Sequence, residues 1–362
     1  MTRVAQIGAL VCLLVFGLSV LGCLSGIGWV RVSPDKRYVT VVVPVSEPVD
    51  EDTEWELRVL DLQTRATIPV RRFKMGQDWF AACQWSPDSQ KLVFYGEERG
   101  SDPLYLFDVA TRELELLPIE EVGPAVWSPD GQYLLVACRS NDASPNANET
   151  RLRLNWHRTS DWSKVHSVQL PASSIGSLLE WGYVLPDEPF SAIVHLDDGN
   201  LYRVRDRAIT PLTTTGDVKA FWISPQDKRL RWVRARPERF LAVFERRLDT
   251  GAVKRLVLLE PNDALVHQNS AYRFSPNGER LAWEAEDQVH ILTIPNKEVR
   301  WLGRKLIQKA QKASPRRDSV EIFTDVEIFT EMPTLGFDWQ NDDTLLILRA
   351  DLEAYTFYRL GQ

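Results

Sequence analysis

The sequence predicts an all-β fold, and three observations predict it. The stretch AVWSPDGQYLLV at 125–136 recurs in close variants along the chain. A second pattern of strand, polar turn and strand alternates with it. Aromatic residues are abundant, with 13 Trp, 14 Phe and 9 Tyr in 362 residues, and such rings suit wide, half-buried strands better than a helical bundle.

The copies can be taken in order. VRVSPDKRYVTVVV starts at Val30, QWSPDSQKLVFY at Gln84, VWSPDGQYLLVA at Val126, WISPQDKRLRWV at Trp222 and RFSPNGERLAWE at Arg273. Two degenerate copies fit the same template, WGYVLPDEPFSAIVHL from Trp181 and FDWQNDDTLLIL from Phe337. The Ser or its equivalent falls near positions 33, 86, 128, 185, 224, 275 and 340, at intervals of 39 to 65 residues. Self-similarity at that period is the mark of a radial or linear array.

The chemistry of one turn explains the repeat. Pro fixes φ near −65° at the second turn position, Asp or Asn suits the third and Gly the fourth, and Ser bonds back to the turn backbone. The turn residues are Ser33, Pro34 and Asp35; Ser86, Pro87 and Asp88; Ser128, Pro129, Asp130 and Gly131; Ser224 and Pro225; and Ser275, Pro276, Asn277 and Gly278. Apolar, β-rich flanks make each turn the joint of an antiparallel hairpin. The second pattern, as in PLYLFDVATRELELLP from Pro103 or FERRLDTGAVKRLVLL from Phe244, adds two more strands. Four short strands cannot bury both faces alone, so the units stack radially with the aromatic residue before Ser-Pro packed between sheets. The expectation is a single β-propeller over 29–362 of seven blades, each of four antiparallel strands, with six or eight blades also compatible. The last blade shows three strands, near Leu335–Trp339, Thr344–Leu348 and Ala354–Arg359, so its fourth is missing or borrowed from elsewhere.

Over about 29–360 the repeat resembles the TolB-type propeller repeat, related to WD-repeat and dipeptidyl-peptidase propellers. The resemblance implies the fold and leaves the role open, because such blades serve many functions. TolB carries an α/β domain ahead of its propeller. Here the first repeat starts about six residues after Cys23, so that domain is expected to be absent. TolB is also normally soluble in the periplasm and not lipidated.

The first residues read as an export signal. MTRVAQIGALVCLLVFGLSVLGCLSG has one cation, Arg3, and no further charge until Arg31. Its end, VLGC at Val20–Cys23, resembles the lipobox of bacterial lipoproteins, with Leu21 larger than usual at its place. The resemblance implies a signal peptide over 1–22, lipidation of Cys23, and a short linker over 23–28, the acyl chains giving stable membrane attachment. An uncleaved anchor over Val4–Val30 and a simply cleaved signal are the alternatives. Each exports the body. Leu24, not Asp, follows the cysteine, which points to the outer membrane, facing the periplasm, in a diderm host.

Composition excludes some functions. The formal net charge of −7 argues against a nucleic-acid partner, which would need a basic face. Of four cysteines, Cys12 and Cys23 lie in the export segment, while Cys83 and Cys138 lie in strand-like runs whose spacing is no metal pattern. Two separate buried thiols are favoured over one disulfide.

Three stretches depart from the repeat. An insertion over 303–334 carries a helix-compatible segment with Arg304, Lys305, Lys309, Lys312, Arg316 and Arg317, then the duplicated VEIFT at Val320 and Val326. It reads as a solvated helical loop, or as a basic helix touching lipid head groups or an acidic partner. SEPVDEDTEWE at 46–56 is acidic without calcium-loop spacing and reads as a solvated loop. SNDASPNANETR at 140–151 reads as a long polar connection.

No Gly-x-Ser-x-Gly elbow, His-Glu-x-x-His pair or glycine-rich phosphate loop occurs. The histidines His157, His166, His195, His267 and His290 are scattered, and His195 and His290 read as packed strand residues. No catalytic residue, metal or cofactor is expected. The leading reading is a non-catalytic, membrane-tethered propeller that binds a protein or envelope component. The alternatives are a propeller enzyme acting on glycans or other extracellular polymers, with carboxylates gathered in the central channel, and a structural scaffold of an envelope complex.

Overall fold

Each repeat folds as hairpins laid side by side from the centre of the molecule outward. The computed structural model describes residues 30–45, 54–74, 80–96, 103–119, 123–140, 151–172, 174–175, 181–186, 188, 190–236, 239–260, 271–285, 288–302, 321–324, 334–349 and 355–359. The export segment with Cys23, most of the acidic stretch 46–56, the connection 141–150 and most of the insertion 303–334 lie outside the described residues.

The first sheet holds β1 (Arg31–Val32), β2 (Tyr38–Pro44), β3 (Glu54–Asp61) and β4 (Thr67–Lys74). The second holds β5 (Phe80–Trp85), β6 (Lys91–Gly96), β7 (Leu104–Asp108) and β8 (Leu114–Leu116). The third holds β9 (Ala125–Trp127), β10 (Tyr133–Ser140), β11 (Arg151–Arg158) and β12 (Lys164–Leu170). The fourth holds β13 (Gly182–Val184), β14 (Ser191–His195), β15 (Leu201–Arg205) and β16 (Ala208–Pro211). The fifth holds β17 (Val218–Ser224), β18 (Arg229–Arg236), β19 (Phe240–Arg247) and β20 (Val253–Leu259). The sixth holds β21 (Tyr272–Phe274), β22 (Arg280–Ala285), β23 (Gln288–Thr293) and β24 (Glu298–Leu302). The C-terminal sheet holds β25 (Glu321–Thr324), β26 (Thr334–Asn341), β27 (Thr344–Arg349) and β28 (Tyr355–Arg359).

The expectation of seven blades of four antiparallel strands needs correction. Six sheets have that form, each a meander in chain order. The C-terminal sheet is mixed: its order is β25-β28-β27-β26, and β25 runs parallel to β28. The physical reason is connectivity. A hairpin forces its second strand to run antiparallel, whereas a strand delivered by a crossover can run either way. β25 comes from upstream of the innermost strand β26, so the borrowed fourth strand arrives by a crossover. It also lies within the stretch expected to be a helical insertion, 303–334. Among the described residues there is no helix.

The wheel closes. The first strands of the first four sheets lie side by side, as do those of the fifth, sixth and last, β1 meets both β5 and β26, and the fourth and fifth sheets share an apolar cluster. The core is accordingly a series of layers between sheets. One apolar cluster joins the first and second sheets through Leu57, Trp85, Phe94 and Phe107. Others join the second and third through Leu106 and Trp127, and the third and fourth through Trp156, Trp181 and Val194. Ile193, Phe221 and Trp232 join the fourth and fifth, Val243 and Trp283 the fifth and sixth, and Ile291, Phe337 and Trp339 the sixth and last. A flat sheet exposes both faces, so each needs a neighbour on either side to hide its rings from water.

Candidate functional site

Four of the repeat turns of the sequence share one hydrogen-bond pattern. Ser33, Ser86, Ser128 and Ser275 are buried and do the same two tasks. Each hydroxyl donates to the acidic or amide oxygen two residues on: Ser86 to Asp88 at 2.6 Å and Ser275 to Asn277 at 2.8 Å, with Ser33 to Asp35 and Ser128 to Asp130 both at 2.5 Å. Each also accepts the backbone N–H five residues on, from Tyr38, Lys91, Tyr133 and Arg280 at 2.8–2.9 Å. The hydroxyl thus ties the turn to the strand that leaves it. The fourth position takes positive φ at Lys36, Ser89, Gly131 and Gly278. Gly278 is required twice over, since a Cβ there would also lie 2.4 Å from the Trp222 ring. The copy at Ser224 and Pro225 differs. Its serine donates to Asp227, three residues on, at 2.8 Å, and positive φ moves to Lys228. These residues build turns. The turn motif therefore reports architecture and brings no reacting groups together.

The tryptophans ahead of the turns join neighbouring sheets. The indole N–H of Trp85 donates to the carbonyl of Arg31 at 3.0 Å, that of Trp127 to Gln84 at 3.3 Å, and that of Trp339 to Arg273 at 3.1 Å. In each pair the acceptor belongs to the preceding sheet. The seam between the first and last sheets is closed by Asp338 on β26. Its carboxylate accepts the backbone N–H of Val32 on β1 at 3.0 Å and stands 4.0 Å from the Arg273 guanidinium. Asp338 is the one carboxylate in the seven innermost strands. Asp217, just ahead of β17, is held by Arg234 and Arg236. Burial alone would raise its pKa, but the bonds from Arg234 and Thr215 outweigh that and lower it. Among the described residues no group of three His, Cys, Asp or Glu is arranged to hold a metal ion.

The cysteines and histidines occupy structural places. Cys83 and Cys138 are both buried free thiols, and burial pushes the Cys83 thiol up to about 12. His157, His195 and His290 are buried in strands. Burial drives the His195 pKa down to about 4, so its ring is neutral at ordinary pH. His166, half-buried, stacks on Phe190 with centroids 4.6 Å apart. His267 lies outside the described residues.

A concave surface exists where the sequence reading marked only a hairpin. On the outer part of the fifth sheet, a groove of about 680 Å³ is lined by Asp227, Lys228, Arg229, Glu245, Arg247, Asp249, Val253 and Lys254 among others. Its base is an ion network. Glu245 accepts from Arg231 at 2.8 Å and from Lys254 at 2.9 Å, and Arg231 also donates to the carbonyl of Gly278 in the next sheet at 2.6 Å. Burial raises the Glu245 pKa, but the hydrogen bonds from Lys254 and Arg231 outweigh it and leave the carboxyl below its ordinary value. Arg247 holds Asp249 at about 2. The clue in the sequence was RLRWVRAR at 229–236, where arginines recur along a strand that buries apolar residues between them.

Fold and surface together define a β-propeller. Structures of the same architecture include TolB from Acinetobacter baumannii, with 18% identity, a TM-score of 0.51 and coverage of 74% of this chain and 63% of TolB. An oligogalacturonate lyase from Vibrio parahaemolyticus matches at 11% identity and a TM-score of 0.57, over 92% of this chain and 88% of the lyase. The Pyrococcus horikoshii acylaminoacyl peptidase matches at 13% identity and a TM-score of 0.54, over 89% of this chain and 49% of the peptidase. The chain thus spans less than two thirds of the length of TolB and about half that of the peptidase. At these identities the likeness establishes the fold. No protein-family model and no curated protein matches the sequence.

Proposed function

We propose that this chain is a non-catalytic β-propeller, tethered to the bacterial cell envelope by lipid on Cys23, that binds a protein or another envelope component. The observation that supports binding best is the unequal treatment of the two rims. The turn-bearing rim is tied down by the serine bonds and by short loops such as Asp61–Ala66, where Asp61 accepts from the Gln63 and Thr64 backbone. The strand ends joined by 45–53, 97–103, 141–150, 171–181 and 260–271 lie on the opposite rim, which carries the longer connections. Rigid scaffolds commonly present recognition residues on such connections. The VLGC sequence supports the tether, with the propeller facing the periplasm from the outer membrane in a diderm host.

The polymer-degrading alternative draws on the likeness to an oligogalacturonate lyase, which is a likeness of fold. The carboxylates at the inner strands, Asp217 and Asp338, are engaged by arginines and backbone, which favours the non-catalytic reading. Replacing Cys23 by Ser tests the tether. The variant is expected to fold and to move from the membrane to the soluble fraction on fractionation. Retention in the membrane at the wild-type level overturns lipidation in favour of the Val4–Val30 anchor. Capture of partners from detergent extracts by the full chain tests binding.

A further inference from the structure

The outer edge of a propeller blade is a row of backbone groups without a ladder partner, and proteins usually blunt such edges. Here the outermost strands are blunted unequally. β4 contains Pro69 and a bulge, β8 is three residues long, and β16 is four residues ending in Pro211. β12 has no exposed large apolar side chain. β20 is bulged at Leu256, as β4 is at Val70, but it is seven residues long and free of proline, and it carries Val253 and Leu258, at 53% and 40% exposure. The other exposed large apolar residues among those described, Leu114 and Leu116, sit on the short β8.

The register of β20 on β19 gives this edge a chemistry. Val253 lies opposite Arg246, Arg255 opposite Phe244 and Leu258 opposite Ala242. These partners alternate along β19, so Val253, Arg255 and Leu258 share one face, an exposed arginine between two exposed apolar groups. Lys254, on the other face, pairs with Glu245 at 2.9 Å while its side chain stays largely exposed, and it borders the groove. Two such edges paired with each other would oppose like charges, which disfavours self-association. A strand whose matching face reads apolar, acidic, apolar, with acidic residues on its other face, would instead meet complementary groups.

We propose that the outer edge of β20 takes an extended, acidic protein segment as a fifth strand of the fifth sheet. The inference rests on the protein-binding reading and names the kind of partner. Main-chain bonds supply the affinity in this mode and alternate side chains the specificity.

The test uses the full chain in detergent and a fluorescent peptide that carries Val, Glu and Val at successive positions of one strand face and Glu on the other, read by anisotropy. The acidic peptide is expected to bind. The Lys254→Glu/Arg255→Glu variant, with its fold checked by circular dichroism, should bind about tenfold more weakly. N-methylation of alternate peptide nitrogens should abolish binding by the wild-type chain, because it removes the ladder donors. Equal binding of the same peptide with Lys in place of Glu, equal binding of the N-methylated peptide, or unchanged binding by the double variant overturns strand addition. Envelope capture provides the separate readout. If wild type and double variant capture the same proteins, β20 is not the docking edge while the binding reading stands.

Discussion

The gap between the third and fourth sheets and the gap between the fifth and sixth come from the same repeat but hold by different chemistry. In the first, Trp156 and Trp181 are buried among Leu154, Val194 and Val204, with Phe190 and His166 stacked at the margin. In the second, an apolar layer of Val243 and Trp283 gives way toward the turn rim to the Arg231–Glu245–Lys254 network. The difference shows which positions the repeat constrains. The inner strands line the wheel in both places, although the turns differ: Ser128 bonds to Asp130 and Tyr133, whereas Ser224 bonds to Asp227. The outer three strands are free to exchange apolar area for ion pairs, and where they do, a groove and a basic edge result.

Five substitutions sharpen that contrast. The largest effect is expected in the apolar gap, where Trp156→Ala should cost about 3–5 kcal/mol by denaturant titration, because it opens a cavity that rigid sheets cannot collapse into. Next is the charged gap, where Arg231→Met should cost roughly 2 kcal/mol at neutral pH, since Glu245 loses its buried partner and keeps Lys254 and, at 3.9 Å, Arg229, and adding Glu245→Leu should recover most of the loss. The two penalties should part company in acid. The Glu245 pKa is lowered in the fold, so its pairing contributes stability above the unfolded value near 4.5, and that contribution is lost as the pH falls through the folded value. The Arg231→Met penalty should therefore shrink on acidification while that of Trp156→Ala does not. A penalty for Arg231→Met that is flat with pH would mean that packing, not charge, holds this gap. The smallest effect compares two turns. Ser128→Ala should cost about 1 kcal/mol, since the buried hydroxyl both donates and accepts, and Ser224→Ala, whose partner Asp227 is exposed, less than about 0.5 kcal/mol.

What was legible in the sequence was local. Pro129, Asp130 and Gly131 announce a turn because φ preferences act within four residues, and Trp127 announces a buried flank because a large ring beside a strand must find cover. The free thiols Cys83 and Cys138 were read correctly for the same kind of reason. The parallel place of β25 was not legible, because it depends on a crossover that nothing in EIFT records. The groove was missed because its members come from three strands whose charges look like ordinary solvated residues until Glu245, at 4% exposure, is found beneath them. Likewise Glu56, read as part of a solvated acidic loop, is buried in β3 and paired with Arg72 at 2.8 Å.

The indole joints carry a consequence for how such a chain can evolve. Trp85, Trp127 and Trp339 each grip a main-chain oxygen of the sheet before them. The acceptor is present whatever side chain stands at that position. A unit can therefore drift at the gripped residue, or be copied beside an unrelated neighbour, and still be held at the proper angle. Where the joint is made, the gripping side is the constrained one; the sixth sheet, with Phe274 at that place, is seated by packing instead.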